Sequence, residues 1–276
     1  MPSPFLQLHD DCPRLEDATL LVALSGWMDG GDVSTGTVQR LLDALDGNLV
    51  GEIDSDPFYI LNFPGAMEVA ALFRPSVTID EGLIAQFEMP TNRFWCAPDR
   101  RIVGFVGKEP NLRWRDFADA LIEAADRLGV KCICFVGSFG GTVPHTREPR
   151  LFCSVSDARL KPDLVKFGFK PSEYEGPASF ATYLTTRAPA AGLEMVSLVA
   201  EVPSYLQGAN PLSIEAMTRR LAAMLGLSVD LSELRTAATR WELKVTEAVA
   251  KDKELARHIR ELEEKYDEEL VESQGE

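Results

Sequence analysis

Lys131-Cys132-Ile133-Cys134-Phe135-Val136 runs straight into Gly137-Ser138-Phe139-Gly140-Gly141-Thr142-Val143-Pro144-His145-Thr146-Arg147, and the reading of this chain turns on that stretch. The first six residues suit a strand buried on both faces, of the kind found in parallel sheets covered by helices. A glycine-rich turn ends the strand, and a stiff Pro-His-Thr-Arg segment follows. In open α/β sheets, ligands and partners meet the loops that leave the carboxyl ends of such strands. The stretch thus marks a fold class and the first place to look for a site. It names no reaction.

The same pattern recurs on either side. Thr19 to Leu24 is a second continuous apolar strand, ending in Ser25-Gly26-Trp27-Met28-Asp29-Gly30-Gly31-Asp32 and a helix from Val33 to about Leu45. Leu49 to Ile53 and Phe58 to Leu61 read as strands separated by the turn cluster Asp54 to Pro57. Val77 to Ile79, Leu83 to Phe87 and Arg101 to Val106 are further strands. Phe117, Leu121, Ala124, Ala125 and Leu128 predict a helix over Trp114 to Leu128, closed by Gly129. Leu151 to Val155 and Met195 to Ala200 read as strands, with a helix from Gly176-Pro177 to Arg187 between them. Alternating strands and helices predict a three-layer α/β/α sandwich with a mixed sheet.

From Ser213 onward the period is helical. Ser213 to Leu225 is one helix, and Asp230 to Leu270 is either one long helix or a broken pair. Trp241, Val245, Ala248, Leu255, Ile259, Leu262 and Tyr266 follow a four-three rhythm that Asp252 interrupts. Such a stripe packs on its own domain or on a neighbouring chain. The expected organisation is a sandwich core over residues 1–228 and a helical subdomain over 229–276.

Composition narrows the function. The net charge of −15 over 276 residues argues against nucleic acid as the main partner, because no basic stripe supplies counterion release. No apolar run reaches membrane-spanning length, and Met1 to Phe5 lacks the regions of a signal peptide. Five cysteines without a zinc or disulfide spacing suit a reducing cytoplasm. Ser138 lacks the flanking glycines of a hydrolase elbow, since Val136 stands two residues before it. Neither a dinucleotide fingerprint nor a Walker motif is present, and His9, His145 and His258 are too scattered for a helical zinc motif. Asp29 and Asp32 flank Gly30-Gly31 before a helix, where N-terminal capping explains at least Asp32. His145 beside Arg147 is a candidate anion contact, and the loop aromatics Trp27 and Trp95 are candidate ligand platforms, although aromatics in such places more often pack or sit in interfaces.

Six ordered motifs carry a resemblance. They are Gly26-Trp27-Met28-Asp29-Gly30-Gly31, Phe73-Arg74-Pro75, Gly107-Lys108-Glu109-Pro110, Val143 to Arg147, Tyr174-Glu175-Gly176-Pro177 and Val202-Pro203-Ser204-Tyr205. Together they resemble the proteasome assembly chaperone 2 family in its stand-alone prokaryotic branch, over about residues 18 to 270. Gly30 departs from the family's usual alanine, and Ser204 from a frequent histidine. The resemblance implies a sandwich like that of nucleoside phosphorylases and peptidyl hydrolases, with a helical C-terminal extension. It also implies a binding protein whose eukaryotic relatives escort proteasome α-subunits.

Two functions follow as expectations. One is a cytoplasmic, non-catalytic assembly chaperone with protein partners, proteasome subunits among them, forming a homo-oligomer that family resemblance suggests is a trimer. The other is an enzyme or small-ligand binder with a phosphorylase-like fold that uses the strand-end loops. The polar candidates for a ligand or partner site are Asp29, Asn62, Glu109, His145 and Arg147. Neither cofactor nor metal is expected.

Overall fold

The computed structural model describes residues 2–274; residue 1 and residues 275–276, the outer ends of the two expected units, lie outside it. The strands are β1 (Leu6–Leu8), β2 (Ala18–Ser25), β3 (Asn48–Ile53), β4 (Ser76–Asp80), β5 (Leu83–Glu88), β6 (Arg93–Ala97), β7 (Ile102–Lys108), β8 (Val130–Gly141), β9 (Leu151–Val155), β10 (Lys170–Pro171) and β11 (Glu194–Pro203). The helices are α1 (Val33–Ala44), α2 (Met67–Ala71), α3 (Trp114–Leu128), α4 (Lys161–Lys166), α5 (Phe180–Arg187), α6 (Pro211–Met224), α7 (Ser232–Val249) and α8 (Lys253–Gln274).

Nine strands form one mixed sheet in the order β1-β3-β6-β7-β2-β8-β11-β9-β10. Its centre, β7-β2-β8-β11, is parallel, and antiparallel pairs flank it on both sides. The central strands read as unbroken apolar runs because each face meets a different helical layer. Along β8, Ile133 and Phe135 pack with α3 and α5, while Cys134 and Val136 pack with α1 and α6. The rings of Phe58, Phe117 and Phe180 interlock edge-to-face on the α3 side, with centroids 4.9 and 5.2 Å apart. All three are fully buried, each worth about 1.5–3 kcal/mol of transfer free energy. Gly129 closes α3 at φ 72°, where a Cβ would stand 1.7 Å from the carbonyl oxygen of Leu15. Only glycine fits there.

Two local expectations need correction. Phe58 to Leu61 is not a strand: Asp56–Phe58 is a 3-10 turn, set when Asp54 Oδ1 accepts the Asp56 amide at 3.1 Å. That turn drives Phe58 into the core. Strands β1, β6 and β10 were not foreseen, and Trp95, expected in a loop, lies within β6 opposite Gly104.

The C-terminal pair is broken where Asp252 interrupts the stripe. Its Oδ1 accepts the amides of Glu254 and Leu255 at 3.0 and 3.1 Å, so it caps α8 and ends α7. Ile259 is buried, and Trp241, Val245, Leu255, Leu262 and Tyr266 are half-buried within the chain itself.

Between β3 and β6 the chain leaves the sandwich as an arm over residues 61–88. It comprises α2 and a separate two-stranded sheet, β4-β5, that joins no other strand. Phe63 stacks on Phe73 with centroids 5.1 Å apart, and Arg74 Nη2 donates to Asn62 Oδ1 at 3.1 Å, closing the arm near its root. On the sandwich side of that root the Tyr59 hydroxyl sits 2.5 Å from Asn92 Oδ1.

Candidate functional site

The carboxyl ends of β2, β7, β8 and β11 form one rim, and backbone contacts lace its loops together. Glu109 donates its amide to the Ser25 carbonyl at 2.9 Å. Its carboxylate accepts the Trp27 amide at 3.2 Å and the Phe180 amide at 2.7 Å, so one side chain joins two loops to the first turn of α5. A carboxylate at a helix N-terminus is favoured by the unpaired amides there. Ser138 donates its amide to the Met28 carbonyl at 2.9 Å and its hydroxyl to the Gly30 carbonyl at 2.7 Å. The serine is fully buried with its proton committed, an arrangement for bracing a loop and not for nucleophilic attack.

Asp29 serves a different element from Glu109. Its Oδ2 accepts the Thr35 hydroxyl at 2.8 Å and its Oδ1 the Thr35 amide at 3.1 Å, capping α1. Asp32, expected as the cap, sits at φ 54° and makes no side-chain capping bond, so the aspartate three residues earlier does that work. Burial lifts the Asp29 carboxyl to about 6, against the bonds from Thr35 that pull it down and with a smaller push from Asp32.

His145 and Arg147 look a third way, towards the C-terminal helices. The Tyr205 hydroxyl lies 2.8 Å from both the His145 amide and Nδ1, and His145 Nε2 lies 3.1 Å from Thr246 Oγ1 on α7. A neutral ring with its proton on Nε2 satisfies every contact: Tyr205 accepts from the amide and donates to Nδ1, and Nε2 donates to Thr246. Burial holds the ring's pKa below its ordinary value, against the pull of Glu263. Arg147 forks onto Asp267 of α8, Nε to Oδ1 at 2.8 Å and Nη2 to Oδ2 at 2.7 Å. The Thr146 hydroxyl donates to Glu263. Arg150 Nη2 donates to Glu269 at 2.7 Å while the guanidinium lies 4.6 Å over the Tyr266 ring. Arg150 Nη1 also donates at 3.0 Å to Glu201, a buried carboxylate that accepts the Thr142 and Val143 amides at 2.6 and 3.1 Å. The anion facing Arg147 is therefore the chain's own terminal helix.

Asp29 meets the α1 layer, Glu109 meets α5, His145 and Arg147 meet α7 and α8, and Asn62 closes the arm. His145 and Arg147 share the field of Glu263 on α8, while Asp29, Glu109 and Asn62 each serve a separate element. Among the described residues no group of three or more His, Cys, Asp or Glu is placed to hold a metal. Burial pushes the Cys96 and Cys132 thiols up to about 11, far from a reactive thiolate.

A cavity of about 630 Å³ does open beside the rim, between the β8-β11-β9 surface and the start of α5. Trp27, Phe139, Phe152, Tyr174 and Val199 give it an apolar wall, and Ser154, Ser172, Ser179, Thr182 and Ser197 add hydroxyls. Trp27 was legible as a loop aromatic, and Tyr174 lay inside a quoted motif. Phe139 had only its place in the glycine turn to announce it.

A nine-stranded mixed sheet sandwiched by helices, extended by a helical pair, defines the class. A family model described as PAC2 family matches residues 23–249, and the chain belongs to that family. It is similar to a Mycobacterium tuberculosis protein of unknown function, Rv2714, at 26% identity and TM-score 0.84, over 100% of this chain and 92% of that one. It is also similar to the M. tuberculosis proteasome-assembly chaperone homologue Rv2125, at 29% identity and TM-score 0.74, over 87% and 99% of the two chains. A PAC2 family protein from Streptomyces avermitilis matches at 27% identity and TM-score 0.72, over 88% and 99%. No curated protein matches.

Proposed function

We propose that the chain is a cytoplasmic binding protein of the assembly-chaperone type, acting on protein partners, proteasome subunits among them, without catalysis, and working as a homo-oligomer, a trimer by family resemblance. The observation that carries this reading is the state of the polar candidates. Asp29, Asn62, Glu109, His145 and Arg147 are all engaged within the chain: the first three serve α1, the arm and α5, and the last two serve the terminal helices. Covalent hydrolysis needs an activated nucleophile held by a base, and phosphoryl transfer needs a phosphate cradle. These residues serve instead as positioning residues that stiffen loops and seat the terminal helices. The similarity to Rv2125, described as a proteasome-assembly chaperone homologue, supports the choice of partner. No helix of the described residues is long and apolar enough to cross a membrane.

The test is affinity capture of the full chain from its own lysate, followed by mass spectrometry and reconstitution with purified proteasome α-subunits. Stoichiometric recovery and a stable reconstituted complex are expected. Failure of purified subunits to bind at micromolar concentration would overturn the partner. The 630 Å³ cavity favours the alternative, a small-ligand binder or enzyme. A metabolite carried through purification in that cavity, with no protein captured, would favour that reading.

A further inference from the structure

Two hydroxyls in the cavity beside the rim have no work within the chain. Met195 of β11 packs in the α3-α5 core, so Ser197 and Val199, two and four residues on, share its face of the sheet. Ser197 stands directly opposite Ser154 of β9, and Val199 opposite Phe152. All four line the cavity. The other lining hydroxyls are engaged. Ser179 Oγ accepts the Thr182 amide at 3.2 Å and lies 3.1 Å from the Thr182 hydroxyl. Ser172 Oγ accepts the Tyr174 amide at 3.3 Å, and the Tyr174 hydroxyl donates to the Pro177 carbonyl at 3.2 Å. Among the described residues nothing bonds the hydroxyls of Ser154 and Ser197. Ser197 is only 6% exposed. Thr37 Oγ1 is the one fully enclosed side-chain oxygen or nitrogen without a partner among the described residues, so the Ser197 oxygen is open, and it opens onto the cavity. Buried hydroxyls in folded proteins are bonded, and a molecule entering here meets one that is not.

The surroundings select the charge of that molecule. Among the described residues that line the cavity, Glu173 is the single carboxylate, and no lysine, arginine or histidine stands with it. The first amides of α5, which would otherwise attract an anion, are taken by Glu109 Oε1 on Phe180 and by Ser179 Oγ on Thr182. A net charge of −15 repels anions further. The apolar wall favours a cation in its own right. Trp27 and Tyr174, 63% and 68% exposed, join Phe139 and Phe152, whose rings lie tilted with centroids 5.8 Å apart. Aromatic faces attract ammonium groups through the ring quadrupole. A serine oxygen accepts from an ammonium N–H, a carboxylate balances its charge, and the rings hold the apolar body attached to it. At about 630 Å³ the space suits a small molecule.

We infer that this cavity binds a small protonated amine with an apolar body, the ammonium donating to Ser197 and Ser154 with Glu173 as its counter-charge, and the body resting against Trp27, Phe139 and Tyr174. The inference does not depend on the proposed protein partner. Failure to bind an amine would leave capture of proteasome subunits standing, and failure of that capture would leave the chemistry of the cavity standing.

Calorimetric titration of the full chain at pH 7 tests it with probes of similar shape and different charge: 2-phenylethylamine, 2-phenylethanol and 3-phenylpropionate. The amine is expected to bind about tenfold tighter than the alcohol, and the carboxylate to show no binding up to about 10 mM. An amine that fails to bind at that concentration, or binds no tighter than the alcohol, overturns the inference. Glu173 is exposed, and Glu173→Gln is expected to weaken the amine by about three- to fivefold and leave the alcohol unchanged. Equal losses for both probes overturn it. Ser197→Ala is expected to weaken the amine by about tenfold, and unchanged affinity there also overturns it. Ser154→Trp, at an exposed position, fills the space and is expected to abolish binding while circular dichroism shows the fold intact. An amine held by that variant with wild-type affinity sits elsewhere, which overturns the inference. Should the tryptophan variant fail to fold, the Glu173→Gln comparison of amine with alcohol decides.

Discussion

The loop over residues 144–150 and the arm over residues 61–88 both stand clear of the sheet, and they treat their side chains in opposite ways. In the loop every reactive-looking group is consumed internally: His145 by Tyr205 and Thr246, Arg147 by Asp267, Arg150 by Glu201, Glu269 and the Tyr266 ring. In the arm, Val77, Ile79, Ile84 and Phe87 leave more than half of each side chain exposed to solvent. A histidine beside an arginine invites a catalytic reading, and a valine-isoleucine hairpin invites none. Partner satisfaction reverses that ranking. The unfinished surface is where an outside molecule lowers free energy, and here it is the apolar arm.

The sharpest break of this contrast would come at Glu201. Glu201→Ala strands the Thr142 amide and the buried Val143 amide and leaves Arg150, itself mostly buried, without its inner partner. Removing one member of such a buried pair costs about 3–5 kcal/mol, readable as a lower urea midpoint. A loss below about 1 kcal/mol would mean the loop is held less firmly than its contacts imply.

Asp29 carries the next largest effect. With its carboxyl lifted to about 6, the folded chain keeps a proton that the unfolded chain, near the ordinary carboxyl value of 3.8, has released. Its contribution is therefore fully present below about pH 4 and is lost as pH rises through 6. Asp29→Asn keeps an oxygen for the Thr35 amide and should remove that slope, with a gain of about 1–2 kcal/mol at pH 7–8. Denaturation at pH 4, 6 and 8 checks it; an unchanged slope would refute the assignment. His145 acts in the other sense. Its depressed pKa means that the unfolded chain binds the proton first as pH falls through its ordinary range.

Arg147→Ala should be milder, because the fork to Asp267 is partly solvated, its carboxylate half exposed. Amide exchange in α8 is expected to quicken by a factor of a few while the central strands stay unchanged. Smallest of all, Ile84→Thr should leave the stability of the dilute single chain within about 0.5 kcal/mol. A loss of 2 kcal/mol there would show that the arm packs on its own sandwich after all, and the contrast would collapse.

Much of the sandwich was legible because its signals are local and periodic. Thr19 to Leu24, the α3 spacing ending at Gly129, and the interruption at Asp252 each reveal themselves within a few residues. Phe58 to Leu61 misled because an Asx turn at Asp54 outweighed β-propensity. Strand β1 spans three residues and β10 two, too few to show alternation. The strands of the arm were readable, but their exposure was not, since alternation predicts a cover without saying whose. His145 stood out at once, yet its partners lie 60 and 101 residues away, beyond any spacing rule.

The root of the arm has a further consequence. Tyr59 touches Asn92, and the Ile53 amide donates to the Asn92 carbonyl at 2.8 Å, so the chain leaves and re-enters the sandwich at neighbouring points. A segment whose ends already meet adds little to the closure entropy of the domain, however long it grows. Residues 61–88 can thus lengthen, shorten or change their side chains while the sheet and its two helical layers stay as they are. Descendants of one sandwich are free to exchange companions by rewriting a tenth of the chain.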